Sequence, residues 1–361
     1  TLTDWELVIV DDGSEENVEE FLRRYPDRRI TLLRQANQGN AAARNAGIRW
    51  AKGEYLVCLD SDDVWHPDML WACVAVLEAQ PDIDVVYTRF QAINAEGVAL
   101  PTPVSPEPQS GNLLEPLLMG YPILPSSALA RRRCFERWAM YEPGLDDWEL
   151  WLRWAAIGCR FMCIEKPLVY YRIHDQNFYL DWSRRRKAHF AMLDAFYQQK
   201  DLPAIAIQMR SRVYANQHLH FAVLAWQVRR PADGLAEFSL AVHANPDLLE
   251  DLDFYTRIAC AHQGRTNAGT VHGLDLETAQ RTLVQSLEAL FAETGLPVAI
   301  RRKQSAAFGW AYLTLARLVY SVPHDMLRAR CFLLRSFAAW PPLAWQTDWA
   351  TWLARALIGY K

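Results

Sequence analysis

The chain has 361 residues, 51% of them hydrophobic and 22% charged, with a formal net charge of −4 at pH 7. That length suits two domains, or one with a large appendage, and the slightly acidic balance argues against a general nucleic-acid binder. The seven cysteines include no CxxC pair, which argues against a zinc module and fits free, mostly buried thiols in a reducing, cytoplasmic compartment. The apolar stretch at 310–322 is too short to span a bilayer and is interrupted by Arg317.

The first half alternates strands and helices. A strand at 6–10 ends in the turn sequence Asp11-Asp12-Gly13-Ser14. A helix at 17–25 carries Val18, Phe21 and Leu22 on one side, and a short strand follows at 30–33. Residues 39–51 read as an Ala-rich helix stopped by Gly53. The run Tyr55-Leu56-Val57-Cys58-Leu59 is too short for a helix and reads as a buried strand, entering Asp60-Ser61-Asp62-Asp63 at its C-terminal end. Three carboxylates so close repel one another. By itself the cluster is either a divalent-metal site or an acidic turn with a helix cap. A helix at 67–79 with Pro67 at its start and a strand at 85–90 complete a βα alternation typical of a parallel sheet.

Residues 101–109 are a proline-rich loop, and 123–130 return as a strand. An amphipathic helix at 146–157 carries Trp148, Leu150, Trp151, Leu152 and Trp154, followed by short closing strands at 161–164 and 168–171. The basic runs Arg131-Arg132-Arg133 and Arg184-Arg185-Arg186-Lys187 are either solvated faces or contacts to phosphates or an anionic membrane surface. Beyond about residue 177 the chain becomes helical. Segments 221–246 and 312–341 share an outline of helix, break near a proline, helix and second proline, which is that of a tetratricopeptide-like hairpin or a generic bundle. Trp226, Trp310, Trp340, Trp345, Trp349 and Trp352 form an aromatic series there that serves as core or as an acceptor groove.

Five segments in order carry a resemblance: Asp11-Asp12-Gly13-Ser14; Asn37-Gln38-Gly39 with Ala43-Arg44-Asn45-Ala46-Gly47; Leu59-Asp60-Ser61-Asp62-Asp63; Asp146-Asp147-Trp148; and Tyr171-Arg172-Ile173-His174. Together they resemble family 2 glycosyltransferases of the GT-A fold, over roughly residues 1–180. The implied fold class is α/β, a Rossmann-like mixed sheet with flanking helices, followed by an all-α region of helical hairpins at 181–361. Members of the family begin with a strand and helix that would precede Thr1. The chain therefore reads as a fragment lacking part of the base pocket, with a gap or a strained sheet expected between the strands at 7–10 and 55–59. Asp146 stands where the family more often has Glu.

The resemblance implies transfer of a sugar from a nucleotide-diphosphate donor, a UDP-sugar, to a hydroxyl of a glycan or lipid-linked acceptor in envelope polysaccharide synthesis, with inversion. Asp62, with His174 as a further ligand, would hold Mn2+ or Mg2+. Asp60 and Ser61 would lie beside the nucleotide, and Asp63 would cap the next helix. Asp12 would accept from the uracil N–H, Asp11 would support its turn, and Arg44 would reach base or phosphates. Asp147 would be the general base. Asn45 is expected to hold local backbone rather than touch the ligand. Two other readings stand beside this one: a non-catalytic scaffold whose helical half binds a protein partner, and a nucleotidyltransferase, against which the Asp146-Asp147-Trp148 helix start argues. Any membrane contact would be peripheral, at the inner face.

Overall fold

A computed structural model of the chain describes residues 1–100, 107–137, 140–142, 147–173, 182–262, 275–321, 325–345, 351 and 353. It divides into two compact units, Thr1–Gln208 and Met209–Lys361. In the first, β1 (Leu7–Asp11), α1 (Val18–Leu22), β2 (Ile30–Arg34), α2 (Asn40–Trp50), β3 (Tyr55–Leu56), β4 (Val64–Trp65), α3 (Met69–Ala79) and β5 (Val85–Ile93) follow the alternation read from the sequence. Then come α4 (Leu114–Leu118), β6 (Ala128–Arg131), α5 (Arg132–Arg137), α6 (Asp147–Ala156), β7 (Phe161–Arg172) and α7 (Trp182–Tyr197).

The strands form a mixed five-stranded sheet in the order β3-β6-β5-β7-β4 and a separate pair, β1-β2. β5 and β7 run parallel from Val85↔Phe161 to Ile93↔Arg172, while β6 and β4 pair antiparallel. The two expected closing strands are one strand. Pro167 sits opposite Arg89 where the register shifts, so the missing N–H falls at an irregularity that tolerates it. The core between sheet and α3 follows helical spacing: Met69, Cys73 and Leu77 are buried against Val86, Leu129, Leu168 and Val169. On α6, Trp151 and Trp154 are fully buried, and Trp151 Nε1 donates to the Ile123 carbonyl at 3.0 Å, satisfying the polar end of a core aromatic.

The gap expected between the first strand and the aspartate strand is present. β1 pairs with β2 and β3 with β6, with no ladder joining them among the described residues. Without a second neighbour, β1 keeps Leu7 exposed and Val8, Ile9 and Val10 half-buried, and only Tyr55 and Leu56 of the expected 55–59 strand are in a ladder. The arginine triplet is not a free basic face. Arg131 donates to the carbonyls of Ile83 and Leu77, Arg132 to those of Gly53 and Ala51, and Arg133 pairs with Asp84. These cations thus sit at the carbonyl ends of α3 and α2, where the helix dipole favours them.

The second unit is helical. The unit boundary falls inside α8 (Ala204–Gln227), which is followed by α9 (Pro231–Ala244), α10 (Leu252–Ala259), α11 (Leu276–Phe291), α12 (Val298–Arg301), α13 (Gln304–Ser321) and α14 (Met326–Ala339). Each of the two segments holds the pair of helices read from the sequence, α8 with α9 and α13 with α14, while the break at Pro323 lies outside the described residues. α9 and α14 each end at a cap of nearly the same conformation, Asn245 (φ −145°, ψ 94°) and Trp340 (φ −149°, ψ 85°), and each is followed by a 3-10 turn that opens on proline, Pro246 or Pro341. A core of Trp226, Phe238, Phe254, Leu283, Leu287 and Leu315, among others, runs through these helices. Of the tryptophan series, Trp226 is in that core and Trp310 and Trp340 pack against it. Trp345 is 91% exposed, and Trp349 and Trp352 lie outside the described residues.

Close helix approach requires glycine at one position in particular. A methyl on Gly234 would lie 2.5 Å from Nε1 of the buried Trp226 ring. Gly234→Ala gains about 1 kcal/mol of helix propensity, but the rigid indole cannot yield. Overpacking therefore wins, and the variant should lose about 1–3 kcal/mol of stability by urea unfolding. A second expectation concerns pH. His262, whose Nε2 lies 2.8 Å from Thr282 Oγ1, has its pKa pulled below the ordinary 6.5 by burial, with Asp275 opposing. The unfolded chain then binds the proton more readily than the folded one, so stability is present above 6.5 and is lost as pH falls through the lowered folded value. His262→Gln should flatten the acid side of the melting-temperature profile. An unchanged slope would assign the loss to other groups.

Candidate active site

The site is built on α2: the loop after β1 meets its N-terminus, and its Arg44 meets the loop after β3 and the start of α6. Asp11 is buried at the end of β1 and accepts from the Ser14 N–H at 2.8 Å, with Arg34 Nε at 3.1 Å. The Ser14 bonds are the chief reason its pKa is lowered, against the effect of burial. Gly13 adopts φ 82°, a left-handed conformation, and a methyl there would meet the Asn37 amide at 3.0 Å, so the turn needs glycine. Asp12 closes the other side of this turn. Its Oδ1 accepts from Gln35 Nε2 (2.7 Å) and the Gln38 N–H (2.9 Å), and its Oδ2 accepts from the Gly39 N–H (2.8 Å). Gln35 contributes most to lowering its pKa. Gly39 brings no capping side chain to α2, so the Asp12 carboxylate supplies the cap from another loop.

α2 presents Arg44 to the aspartate loop. Arg44 Nη2 donates to Asp60 Oδ1 at 2.6 Å, its Nη1 lies 3.8 Å from Asp147 Oδ1, and its guanidinium sits 5.1 Å from the centre of the Tyr141 ring. Burial works to lower the Arg44 pKa, but Asp60 and Asp147 outweigh it and the net shift is upward, so this is a fixed cation. Asp60 also donates its backbone N–H to the buried Ser126 Oγ at 3.1 Å. Ser61 is exposed at the tip of the turn, and Asp62 and Asp60 are half-buried. Asp147 is the first residue of α6, where the helix dipole favours a negative charge.

Asp63 does not cap the following helix. It is buried and accepts from the Arg172 N–H at 3.1 Å, while Arg172 Nε donates to the Asp62 carbonyl at 2.9 Å. Burial pushes the Asp63 pKa up to about 6. The cap position of α3 belongs instead to Asp68. The aspartate turn is thereby tied to the end of β7, helped by the β4 pairing of Val64 with Tyr170. His174 and Asp146 lie outside the described residues.

Sequence reasoning missed three groups here: Tyr141, Cys58 and Ser126. Tyr141 is buried beneath Arg44, and the Cys58 thiol interacts with its hydroxyl; burial raises the Cys58 pKa to about 11. None of them stands in a motif, and Cys58 is indistinguishable in sequence from any apolar strand residue. Asn45 holds backbone, as expected, but not the local backbone: it bonds to Tyr141, 96 positions away, at 2.7 and 3.1 Å, because folding brings that segment against α2.

Among the described residues no three His, Cys, Asp or Glu side chains are grouped to hold a metal ion. Asp60 and Asp62 on one turn are nevertheless a fitting donor set for a hard dication of the Mg2+ type. Such an ion binds through one or two carboxylates and takes its other oxygens from water and a substrate diphosphate.

The model of the family described as glycosyl transferase family 2 matches residues 1–136. An uncharacterized glycosyltransferase of Nostoc sp. is 31% identical over 191 residues, 49% of this chain and 58% of that one. Residues 1–136 are a family 2 glycosyltransferase domain. The mixed sheet and flanking helices around it are of the GT-A type. This glycosyltransferase domain is also similar to the UDP-Glc:alpha-D-GlcNAc-diphosphoundecaprenol beta-1,3-glucosyltransferase WfgD of Escherichia coli, 27% identical over 185 residues, 49% of this chain and 71% of that one. In structure, residues 1–349 of S. aureus TarS, solved with UDP-GlcNAc, align with a TM-score of 0.49 at 14% identity, covering 84% of this chain and 82% of that chain. The chain spans 58% of the Nostoc protein and 26% of an uncharacterized Rickettsia bellii glycosyltransferase. No helix among the described residues is long and apolar enough to cross a membrane.

Proposed function

We propose that the glycosyltransferase domain transfers a sugar from a UDP-sugar to a hydroxyl of a glycan or lipid-linked acceptor, with inversion at the anomeric carbon. The observation that carries this reading is the position of Arg44, 2.6 Å from Asp60 of the aspartate turn and 3.8 Å from Asp147 at the start of α6. Carboxylates from two motifs far apart in the sequence, Asp60 and Asp147, thus face one cation supplied by a third. The E. coli relative, whose name gives UDP-Glc as donor and a diphosphoundecaprenol-linked GlcNAc as acceptor, supports the choice of nucleotide and acceptor class.

In this reading the Asp147 carboxylate takes the proton of the acceptor hydroxyl as that oxygen attacks the anomeric carbon. The bond from that carbon to the diphosphate oxygen breaks, and its electron pair leaves with the diphosphate. One displacement inverts the centre. Arg44 faces the Asp147 carboxylate across 3.8 Å and holds Asp60 in place. Asp11 and Asp12 shape the base pocket, with Asp12 keeping one unfilled acceptor position for a ring N–H, and Ser61 lies beside the nucleotide. Asp62, with Asp60 beside it on the turn and His174 as the further ligand that the family resemblance implies, would hold Mn2+ or Mg2+, which when bound would neutralise charge growing on the diphosphate. The helical unit would contribute to acceptor or protein-partner binding, and the domain would work in the cytoplasm, at most peripheral to the membrane.

The test is calorimetry with UDP in the presence and absence of Mn2+, followed by hydrolysis and transfer assays with common UDP-sugars. Metal-linked UDP binding and turnover are expected. A non-catalytic scaffold would show neither.

A further inference from the structure

We infer that Asn45 and Arg153 form a two-sided clasp on residues 140–142 that positions Asp147 against the aspartate turn, an inference that rests on the transfer reaction proposed above. Residues 140–142 lie a few positions before the base and are held from both sides. From α2, the Asn45 side-chain amide donates to the Tyr141 carbonyl at 2.7 Å and accepts from the Tyr141 N–H at 3.1 Å, pairing with that backbone as a neighbouring strand would. From α6, Arg153 Nη2 donates to the Met140 carbonyl at 2.7 Å, its Nη1 lies 3.4 Å from Glu142, and its Nε lies 2.6 Å from the buried Glu149.

The helix that carries the base is therefore linked to the helix that carries Arg44 through this short segment as well as through the Arg44–Asp147 pair. Asn45 is only 7% exposed and lies inside α2. Asparagine there is a poorer helix former than alanine, so its two backbone bonds offset a local cost. The neighbouring Arg44 covers the ring of the same Tyr141. Two adjacent α2 side chains thus hold one residue by ring and backbone, while a third from α6 holds the residue before it. Asn45 and Arg153 touch no reacting atom in the proposed reaction. They act by setting the distance between base and donor, and misplacement on the order of 1 Å is enough to cost about 10²-fold in rate.

The test uses the whole chain with UDP-glucose and Mn2+. Asn45→Ala is expected to lower kcat about 10²-fold while the KM for UDP-glucose and the affinity for UDP stay within about twofold, and to speed deuterium exchange at the Tyr141 amide. Arg153→Lys releases the other side of the segment without touching α2 and should give the same kcat-only loss, which keeps the test decisive if Asn45→Ala folds poorly. An active parent whose variants keep full kcat, or lose UDP affinity in step with kcat, overturns the clasp. A parent that binds UDP but turns over no UDP-sugar overturns the transfer reading instead, and the Tyr141 exchange still reports whether Asn45 holds that segment.

Discussion

Asp147→Asn is expected to lower kcat for sugar transfer by about 10³-fold, within the range that general base catalysis supplies, or about 4 kcal/mol of barrier. Asparagine keeps the shape and the helix-start position but has no basicity near neutral pH. Binding should hardly change. Arg44 reaches Asp147 only at 3.8 Å, whereas its 2.6 Å bond to Asp60 remains in the variant, so the aspartate turn keeps its anchor. The signature is a loss confined to kcat, with UDP affinity by calorimetry within about twofold of the parent. Retention of more than a tenth of the activity would remove Asp147 from the role of base and point to another proton acceptor.

Asp62→Ala should cost about 10²–10³-fold in kcat/KM and abolish the Mn2+ dependence of UDP binding, a loss on the scale of one electrostatic contact to the developing charge. The choice between Asp60, Asp62 and Asp63 for this experiment follows from their partners. Asp63 is buried and accepts from the Arg172 backbone, so truncating it releases β7 from the turn and confounds folding with function. Asp60 is bound to Arg44. Asp62 ties the turn to Arg172 through its carbonyl, which alanine retains. In a variant that folds like the parent by circular dichroism, full activity would end the metal assignment for this residue.

Helices and strands of the first unit were legible because their apolar residues recur at the expected periods. Met69, Cys73 and Leu77 on α3 are one such row, and all three are buried. The 55–59 strand was longer in the reading than in the fold, because a ladder needs a partner on each side and an apolar run does not report whether one exists. The closing strands were split in the reading because Pro167 looks like a break. In the fold it falls at a register shift, where a missing donor does little harm. Asp63 was misplaced for a related reason. An aspartate shortly before a helix is ordinarily a cap, and only the return of β7 beside it offers a stronger partner.

From the sequence alone came the order of the motifs, the α/β half followed by a helical half, the hairpin outline repeated around Pro231 and Pro323, and the list of carboxylates able to do chemistry. These depend on local spacing and on side-chain type, which the chain carries with it. Only the tertiary structure decided which partner each carboxylate takes. Arg44 goes to Asp60 and Asp147, Asp12 to the start of α2, Asn45 to a residue 96 positions away and Asp63 to one 109 positions away. Hydrogen bonds and ion pairs are short-ranged and directional. Their members are selected by where folding brings backbone and side chains together, and no local pattern encodes that.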